Sequence, residues 1–509
     1  MNTFSRRSLM KAFALAGMTA AMGPMARFAN AQAMERPLPT GKLANNFLMH
    51  NDLPWALETK RFAFGFAPIT PQSAFFVRNN LPTPDESIVA NPNEWRFDVI
   101  GAARSGSLTL AELKAMPVHV EAAVMQCSGN GRAYFPHKPS GSQWETGAAG
   151  CALWTGVRVS DVIAHFGGPS DGKLFLTATG AEILPEGVDP SQVVVERSVP
   201  MAKAMQDCLL VWEMNGAALP LIHGGPVRLL VPGYFGVNCI KWVKQIALTA
   251  TETGASIQSS SYRFRDIGQS GNPQHPSMYR MPVKSWLNGP GTDGTSIIPG
   301  PATLHGVAFS GERGIAKVEV SADDGQTWHE AQLLEPDLGP NAWRSFVLSM
   351  ELALGKHRFV SRATDRAGDT QPRDAVPNER GYGHNGWNDP ALEIEVVATH
   401  TASTRAAATA VASPLAAQAQ KTLALSPLAA QGRAIFMSQA QPACGVCHTL
   451  ADAGSAGAIG PNLNTLKPTI EQVFTAVSQG VGAMPAYGAQ LSETERRALA
   501  AYVAEAAAG

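Results

Sequence analysis

Cys444-Gly445-Val446-Cys447-His448 decides how the end of this chain folds. Two thiols two residues apart, with an imidazole immediately after, are the attachment site of a c-type haem. Each thiol adds to a haem vinyl group, and the histidine ligates the iron. Upstream, Gln431-Gly432-Arg433-Ala434-Ile435-Phe436 reads as a helix leading into the cysteines. Downstream, Leu491 to Val503 has apolar residues at helical spacing behind a Ser492-x-x-Glu495 start. Met484, followed by Pro485 and about 36 residues past His448, is the expected distal iron ligand. Residues 427–509 are therefore expected to form an all-α cytochrome c domain carrying one covalent haem c.

With 509 residues the chain is too long for one core, so it is expected to be multidomain. Its 45% apolar and 16% charged content lets large cores be buried. A net charge of -1 argues against a nucleic-acid partner. Of six cysteines the haem claims two, and Cys127, Cys151, Cys208 and Cys239 are too scattered for a disulfide framework. Ser5-Arg6-Arg7-Ser8-Leu9 precedes an Ala/Met-rich run and Ala29-Asn30-Ala31, the pattern of a twin-arginine export signal over residues 1–31. The expectation is a periplasmic protein with no membrane span after signal removal. The apolar run is broken by Gly23, Pro24 and Arg27, and no other stretch is long and apolar enough to span.

Between these ends the texture changes once. Residues 61–250 mix strands, such as 174–179 and 226–231, with helical stretches such as 159–166, which Gly167-Gly168 ends. That is an α+β pattern. From 281 to 398, alternating runs at 317–321 and 357–363 are separated by turn chemistry such as Ala322-Asp323-Asp324-Gly325. Short strands with such turns predict an all-β, immunoglobulin-like sandwich, here without the antibody-type disulfide. Residues 400–426 are Ala/Thr/Ser-rich without apolar period and read as a linker.

Phe75-Phe76-Val77-Arg78-Asn79-Asn80-Leu81-Pro82 ends an apolar strand in a guanidinium. Met125-Gln126-Cys127-Ser128-Gly129-Asn130-Gly131-Arg132 sets a thiol at the mouth of a Gly/Asn loop, before a second arginine. Thiolates bind soft metals, and guanidinium forks bind oxyanions. Taken singly, each residue also has a plain structural role. Cys127, like Cys151, Cys208 and Cys239, fits a buried thiol; Arg78 and Arg132 fit salt-bridge partners; His223, Trp144 and Met484 fit the core.

Together with Leu221-Ile222-His223-Gly224-Gly225-Pro226-Val227-Arg228 and Ile240-Lys241-Trp242-Val243, these blocks resemble the sulfite oxidase family of molybdenum enzymes over about residues 61–398. The resemblance implies a molybdopterin-binding catalytic domain over 45–270 and an immunoglobulin-like dimerisation domain over 281–398, hence a homodimer. It implies a molybdenum-molybdopterin cofactor with Cys127 as the metal's thiolate ligand and His223, Arg228 and Lys241 as contacts to the pterin and its phosphate. Ser128, Gly129 and Asn130 then shape the loop. Arg78 and Arg132 become anion-binding arginines, and Trp144 the wall of their pocket. Arg380 becomes a pocket arginine from the second domain, and Tyr262 the tyrosine hydrogen-bonded at the metal centre. Asn80 departs from the family's histidine; asparagine keeps a hydrogen bond but cannot change charge.

The activity so implied is oxidation of sulfite, or a related sulfur oxyanion, to sulfate. Two electrons would leave singly through the haem to an external periplasmic cytochrome c. Alternatives on the same scaffold are oxidation of protein-bound sulfur in thiosulfate oxidation, or reduction of nitrate or a sulfoxide. A reading of another class is a non-catalytic electron-transfer protein.

Overall fold

The computed structural model describes residues 38–508, except 53, 185–188, 292–295, 399–424, 442, 457–462 and 480–486. The expected export signal, nearly all of the expected linker, and Met484 lie outside the described residues.

Strand propensity and burial build the region 47–249 from one three-stranded and two five-stranded sheets. One five-stranded sheet runs, in spatial order, Gly106–Thr109, Arg96–Ile100, Val243–Thr249, Phe175–Gly180, Glu196–Pro200. The other is built around His119–Gln126, Ala149–Arg158 and Leu209–Met214. The expected strand at 226–231 is trimmed to Arg228–Leu230, because Pro226 has no N–H to give a ladder. The helix Val159–His165 buries Val159, Val162 and Ile163 on one face. It stops where Gly167 and Gly168 adopt φ of +90° and +91°, and the Gly168 N–H closes on Ile163 O at 3.0 Å.

One hairpin positions the site. His119–Gln126 and Ala149–Arg158 pair antiparallel from His119↔Gly156 to Gln126↔Ala149. Cys127 is the first residue beyond that ladder, and its N–H still donates to Ala148 O at 2.9 Å. The thiol therefore rides on a rigid sheet edge.

The region 283–396 consists of a four-stranded and a five-stranded sheet. The expected alternating runs appear as Ile315–Ser321 and Gly355–Asp365, paired antiparallel. Leu304, Val318, Phe346, Phe359 and Leu392, drawn from both sheets, form one core. A separate apolar cluster fastens this region to the first: Val124, Ala149 and Phe235 pack with Trp286, Phe309 and Trp343. Truncating one such tryptophan to alanine costs roughly 3–5 kcal/mol, so the two regions meet over a core-like contact.

Residues 427–508 carry the expected helices. Pro427–Ala434 continues into a π-helical turn, Ile435–Gln439, ahead of the short helix Cys444–Cys447. Glu493–Ala508 starts behind a reciprocal cap, in which Ser492 N–H donates to Glu495 Oε2 (2.8 Å) and Glu495 N–H to Ser492 Oγ (3.3 Å). Phe436, Leu499 and Tyr502 anchor its core. No helix among the described residues is long and apolar enough to cross a membrane.

Candidate active site

A cavity that opens to solvent lies beside Cys127. Cys127, Arg78, His223, Arg228, Lys241 and Tyr262 all line it, as do Asn80 and Ser128. These residues are far apart in sequence and arrive on separate elements. Arg78 ends the short strand Val77–Arg78, which pairs with Ala56–Leu57. His223 ends a turn closed by Gly224 at φ +105°, and Arg228 begins the next strand.

The wall is cationic and partly buried. Arg228 is 3% exposed; it donates to His223 O at 2.8 Å and to Met125 Sδ, while its Nε has no partner. Lys241 donates to Ile222 O (2.6 Å) and to Asn79 Oδ1. No aspartate or glutamate is among the described residues lining the cavity. Burial is accordingly the main influence on these groups. It brings Arg228 down to about 10 and, with Arg228 adding repulsion, holds Lys241 well below its ordinary value. Burial, then the charges of Lys42, Lys241 and Arg228, depresses His223. Glu182 acts on Lys241 as a counter-charge, but burial pushes its carboxyl up to about 7, which weakens it in that role.

Buried unpaired cations are costly. A cofactor with an anionic phosphate resolves that cost, and Cys127 supplies a thiol at the same cavity for a soft metal. The residues present therefore fit a molybdopterin-type group. Arg228 Nε, Asn79 Nδ2 and Ser128 Oγ, all buried and without partners, are spare polar atoms at or beside this wall.

Arg78 donates to Asn79 O and, at 2.9 Å, to Asn80 Oδ1. The same Asn80 oxygen accepts from Tyr262 Oη at 3.2 Å. Asn80 thus spaces a guanidinium and a phenol along one rim of the cavity.

Three expected site residues do not line the cavity. Arg132 is 5% exposed and spent on backbone: Nε donates to Arg380 O (2.9 Å), Nη1 to Ser142 O (2.9 Å), and the guanidinium covers the Tyr382 ring at 5.3 Å. Arg380 points instead to Ser140 Oγ at 3.0 Å. Trp144 is fully buried in the main core, edge-on to His50 at 4.6 Å. In this arrangement Arg132 braces the loop, and Tyr382 stacks on Tyr262 at 5.1 Å, linking the brace to the rim.

The second region grips that loop directly. Gly383 N–H donates to Ser128 O at 2.8 Å, and Lys284 Nζ donates to Asn130 O at 3.2 Å. Gly131, at φ +95°, lies so close to His384 that an added Cβ would stand 2.6 Å from its side chain. From the other side Glu58, 1% exposed, accepts from Glu145 N–H (2.9 Å) and Gly147 N–H (2.8 Å) and from His50 (2.7 Å). Sequence reading missed Lys42, Glu58 and Lys284, because none lies in a motif. Lys42 Nζ meets His223 Nε2 at 2.7 Å behind the cavity wall. The remaining cysteines, Cys151, Cys208 and Cys239, are buried free thiols.

In the third region Cys444 and Cys447 bound one helical turn, with His448 extended immediately after it and its carbonyl accepting from Ser455 Oγ at 2.9 Å. Two thiols and an imidazole are the donor set that haem c requires.

Comparison with known proteins gives a match for each region. Residues 80–257 match the oxidoreductase molybdopterin binding domain, 275–395 the Mo-co oxidoreductase dimerisation domain, and 427–503 the cbb3-type cytochrome c oxidase subunit III family. Sulfite oxidase of Gallus gallus is 33% identical over 340 residues, 63% of this chain and 72% of that protein. Mitochondrial sulfite oxidase of Rattus norvegicus is 33% identical over 347 residues, 64% of this chain but 62% of that protein, so the match spans less than two thirds of its length. Among solved structures, the sulfane dehydrogenase SoxCD of Paracoccus pantotrophus aligns with a TM-score of 0.57 at 24% identity, covering 74% of this chain and 96% of that one. That likeness is one of fold.

Proposed function

The chain belongs to the sulfite oxidase family of molybdenum enzymes, and from that premise we propose that it is a periplasmic sulfite dehydrogenase, oxidising sulfite to sulfate and delivering electrons to an external cytochrome c. The observation that carries this reading is the cavity at Cys127, where Arg78, His223, Arg228 and Lys241 gather with no carboxylate among the described lining residues. When bound, the molybdenum cofactor supplies two-electron oxygen-atom transfer, and the haem supplies one-electron transfer.

The chain's own residues do the rest. Cys127 holds the metal, and His223, Arg228 and Lys241 hold the pterin and its phosphate. Arg78 presents N–H donors to the oxygens of the anionic substrate. Asn80 fixes the Arg78 guanidinium and the Tyr262 hydroxyl relative to each other, so the two approach the substrate as a unit. Arg132, Arg380 and Trp144 act one layer out: they brace the Cys127 loop and the aromatic pair Tyr262–Tyr382. Because sulfite and sulfate are both anions, the rim must capture one without trapping the other. Arg78, held on Asn80 and only partly buried, serves that better than a closed cage of arginines. Cys444 and Cys447 would hold the haem covalently, and His448 and Met484 would ligate its iron. Carrying the acceptor on the same polypeptide raises its effective concentration at the donor.

The remaining parts of the reading follow the family. Residues 1–31 direct export by the twin-arginine route, 45–270 form the catalytic domain, and 400–426 link it to the cytochrome domain. Residues 281–398 form an immunoglobulin-like domain through which two copies pair. A second reading is oxidation of protein-bound sulfur, which the fold shared with a sulfane dehydrogenase brings to mind.

The test is anaerobic addition of sulfite to purified, metal-replete protein. Reduction of the haem bands at sub-stoichiometric sulfite supports the proposal; bands that stay oxidised overturn it. Reduction only by a persulfidated protein would select the second reading, and re-oxidation of chemically reduced haem by nitrate would select a reductase.

A further inference from the structure

Lys42 lies just ahead of the expected catalytic domain, in a segment without any motif, yet its side chain ends directly behind the cavity wall, on His223. Its ammonium contacts three acceptors: Gln72 O, Phe75 O at 2.8 Å and His223 Nε2 at 2.7 Å. A charged lysine has three N–H donors and nothing to accept with. All three are used here, so His223 Nε2 must be the acceptor. The histidine is then neutral with its proton on Nδ1. His223 itself lines the cavity, and the Phe75 ring standing edge-on at 5.4 Å limits its rotation.

An uncharged Lys42 would reverse this. Its amine has two N–H groups for the two carbonyls and a lone pair that would accept a hydrogen bond from Nε2–H, leaving Nδ1 an acceptor. Burial brings Lys42 down to about 7, so both forms are within reach near neutral pH. An anion in a cavity that also holds Lys241 and Arg228 favours the charged form.

Resting on the reading of this cavity as an anionic-cofactor site, we propose that Lys42 is a positioning residue that locks His223 as its Nδ1–H tautomer, so that the ring presents a donor to the anionic cofactor. Lys42 also ties the carbonyls of Gln72 and Phe75, which lead into Arg78. One side chain thereby orients the cofactor wall and the start of the substrate rim together.

The experiment labels histidine with ¹⁵N in the cofactor-loaded full chain and assigns the His223 signals by their loss in His223→Asn. Wild-type protein should show a protonated Nδ1 and an unprotonated Nε2 at His223; the opposite tautomer overturns the proposal without any variant. Lys42→Met should lose the Nδ1–H preference and release molybdenum and pterin roughly 10-fold faster during dialysis, the scale of losing one outer partner of a metal site. Lys42→Arg should restore both. If Lys42→Met does not fold, Lys42→Gln, which keeps N–H donors without the charge, should fall between the two. Unchanged tautomer and unchanged release in Lys42→Met or Lys42→Gln would sink the proposal. Neither readout involves sulfite, so a chain that fails to oxidise sulfite yet behaves as stated would overturn the substrate reading and leave this one standing.

Discussion

The cations around the Cys127 cavity and those in and beside the second region meet burial in opposite ways. Lys203 ion-pairs with Asp207 at 2.8 Å and with Glu312 at 2.7 Å, and Arg280 joins it on Glu312. Arg344 pairs with Asp337 at 2.8 Å and Arg313 with Asp365 at 2.8 Å. Around the cavity, Lys42, Arg228 and Lys241 hydrogen-bond carbonyls, an amide oxygen, an imidazole and a thioether instead. The paired set is complete as folded. The unpaired set is left short of negative charge, and a ligand supplies it.

The sharpest way to break this comparison is at the thiol. Cys127→Ser removes the soft ligand while leaving the cationic wall, and sulfite-driven haem reduction should fall by at least about 100-fold. Haem absorbance should be unchanged; retained turnover would detach Cys127 from the metal.

Next comes the rim. Arg78→Gln keeps hydrogen-bonding capacity but removes the charge, and kcat/KM for sulfite should drop about 100-fold, the scale of losing one strong donor to an anion. Steady-state kinetics should place much of that loss in KM, because the guanidinium meets substrate before and after reaction.

Two lysines sharpen the contrast between paired and unpaired charge. Lys203→Met strands Asp207 and Glu312 and should cost roughly 3 kcal/mol, seen as a lower denaturant midpoint. Lys284 is 1% exposed, it hydrogen-bonds Asn130 O, and burial lowers it to about 7. Lys284→Met should leave the midpoint level or raised, because no carboxylate hydrogen-bonds it. Turnover should nonetheless fall about 10-fold, since the loop holding Cys127 loses a grip. Equal destabilisation in the two variants would erase the distinction.

The smallest effect is on pH. Lys42 has a folded-state value of about 7 against an ordinary 10.5. Between those values the unfolded chain binds more protons, so unfolding free energy rises with pH. Cofactor-free protein should therefore melt at higher temperature at pH 9 than at pH 7, to the extent that Lys42 and Lys241 dominate. Inorganic phosphate should protect it less at pH 9, because binding an anion draws a proton onto the lysine. Protection that does not weaken would show that these groups are charged throughout.

Much of the site was legible beforehand because its chemistry is local. Cys127 at a strand end, His223 before Gly224 and Arg228 opening a strand are each held by their own sequence neighbours, and all line the cavity. Arg132 and Trp144 were harder, because a motif names a residue but not the direction of its side chain. Arg132 is drawn away by the carbonyls of Arg380 and Ser142, the first of them 248 positions on. Lys42 and Lys284 left no trace: an isolated lysine in a polar loop or an alternating strand reads as solvated.

The order of the three regions and the two cofactors they take were legible in the sequence, since covalent attachment and metal ligation demand particular residues at short, rigid spacings. Which cations face the cavity, which are neutralised elsewhere, and that the second region grips the Cys127 loop were decided only on folding. Burial and partnership are properties of long-range packing, and a side chain's charge acquires its cost or its use only where the tertiary structure removes water from it.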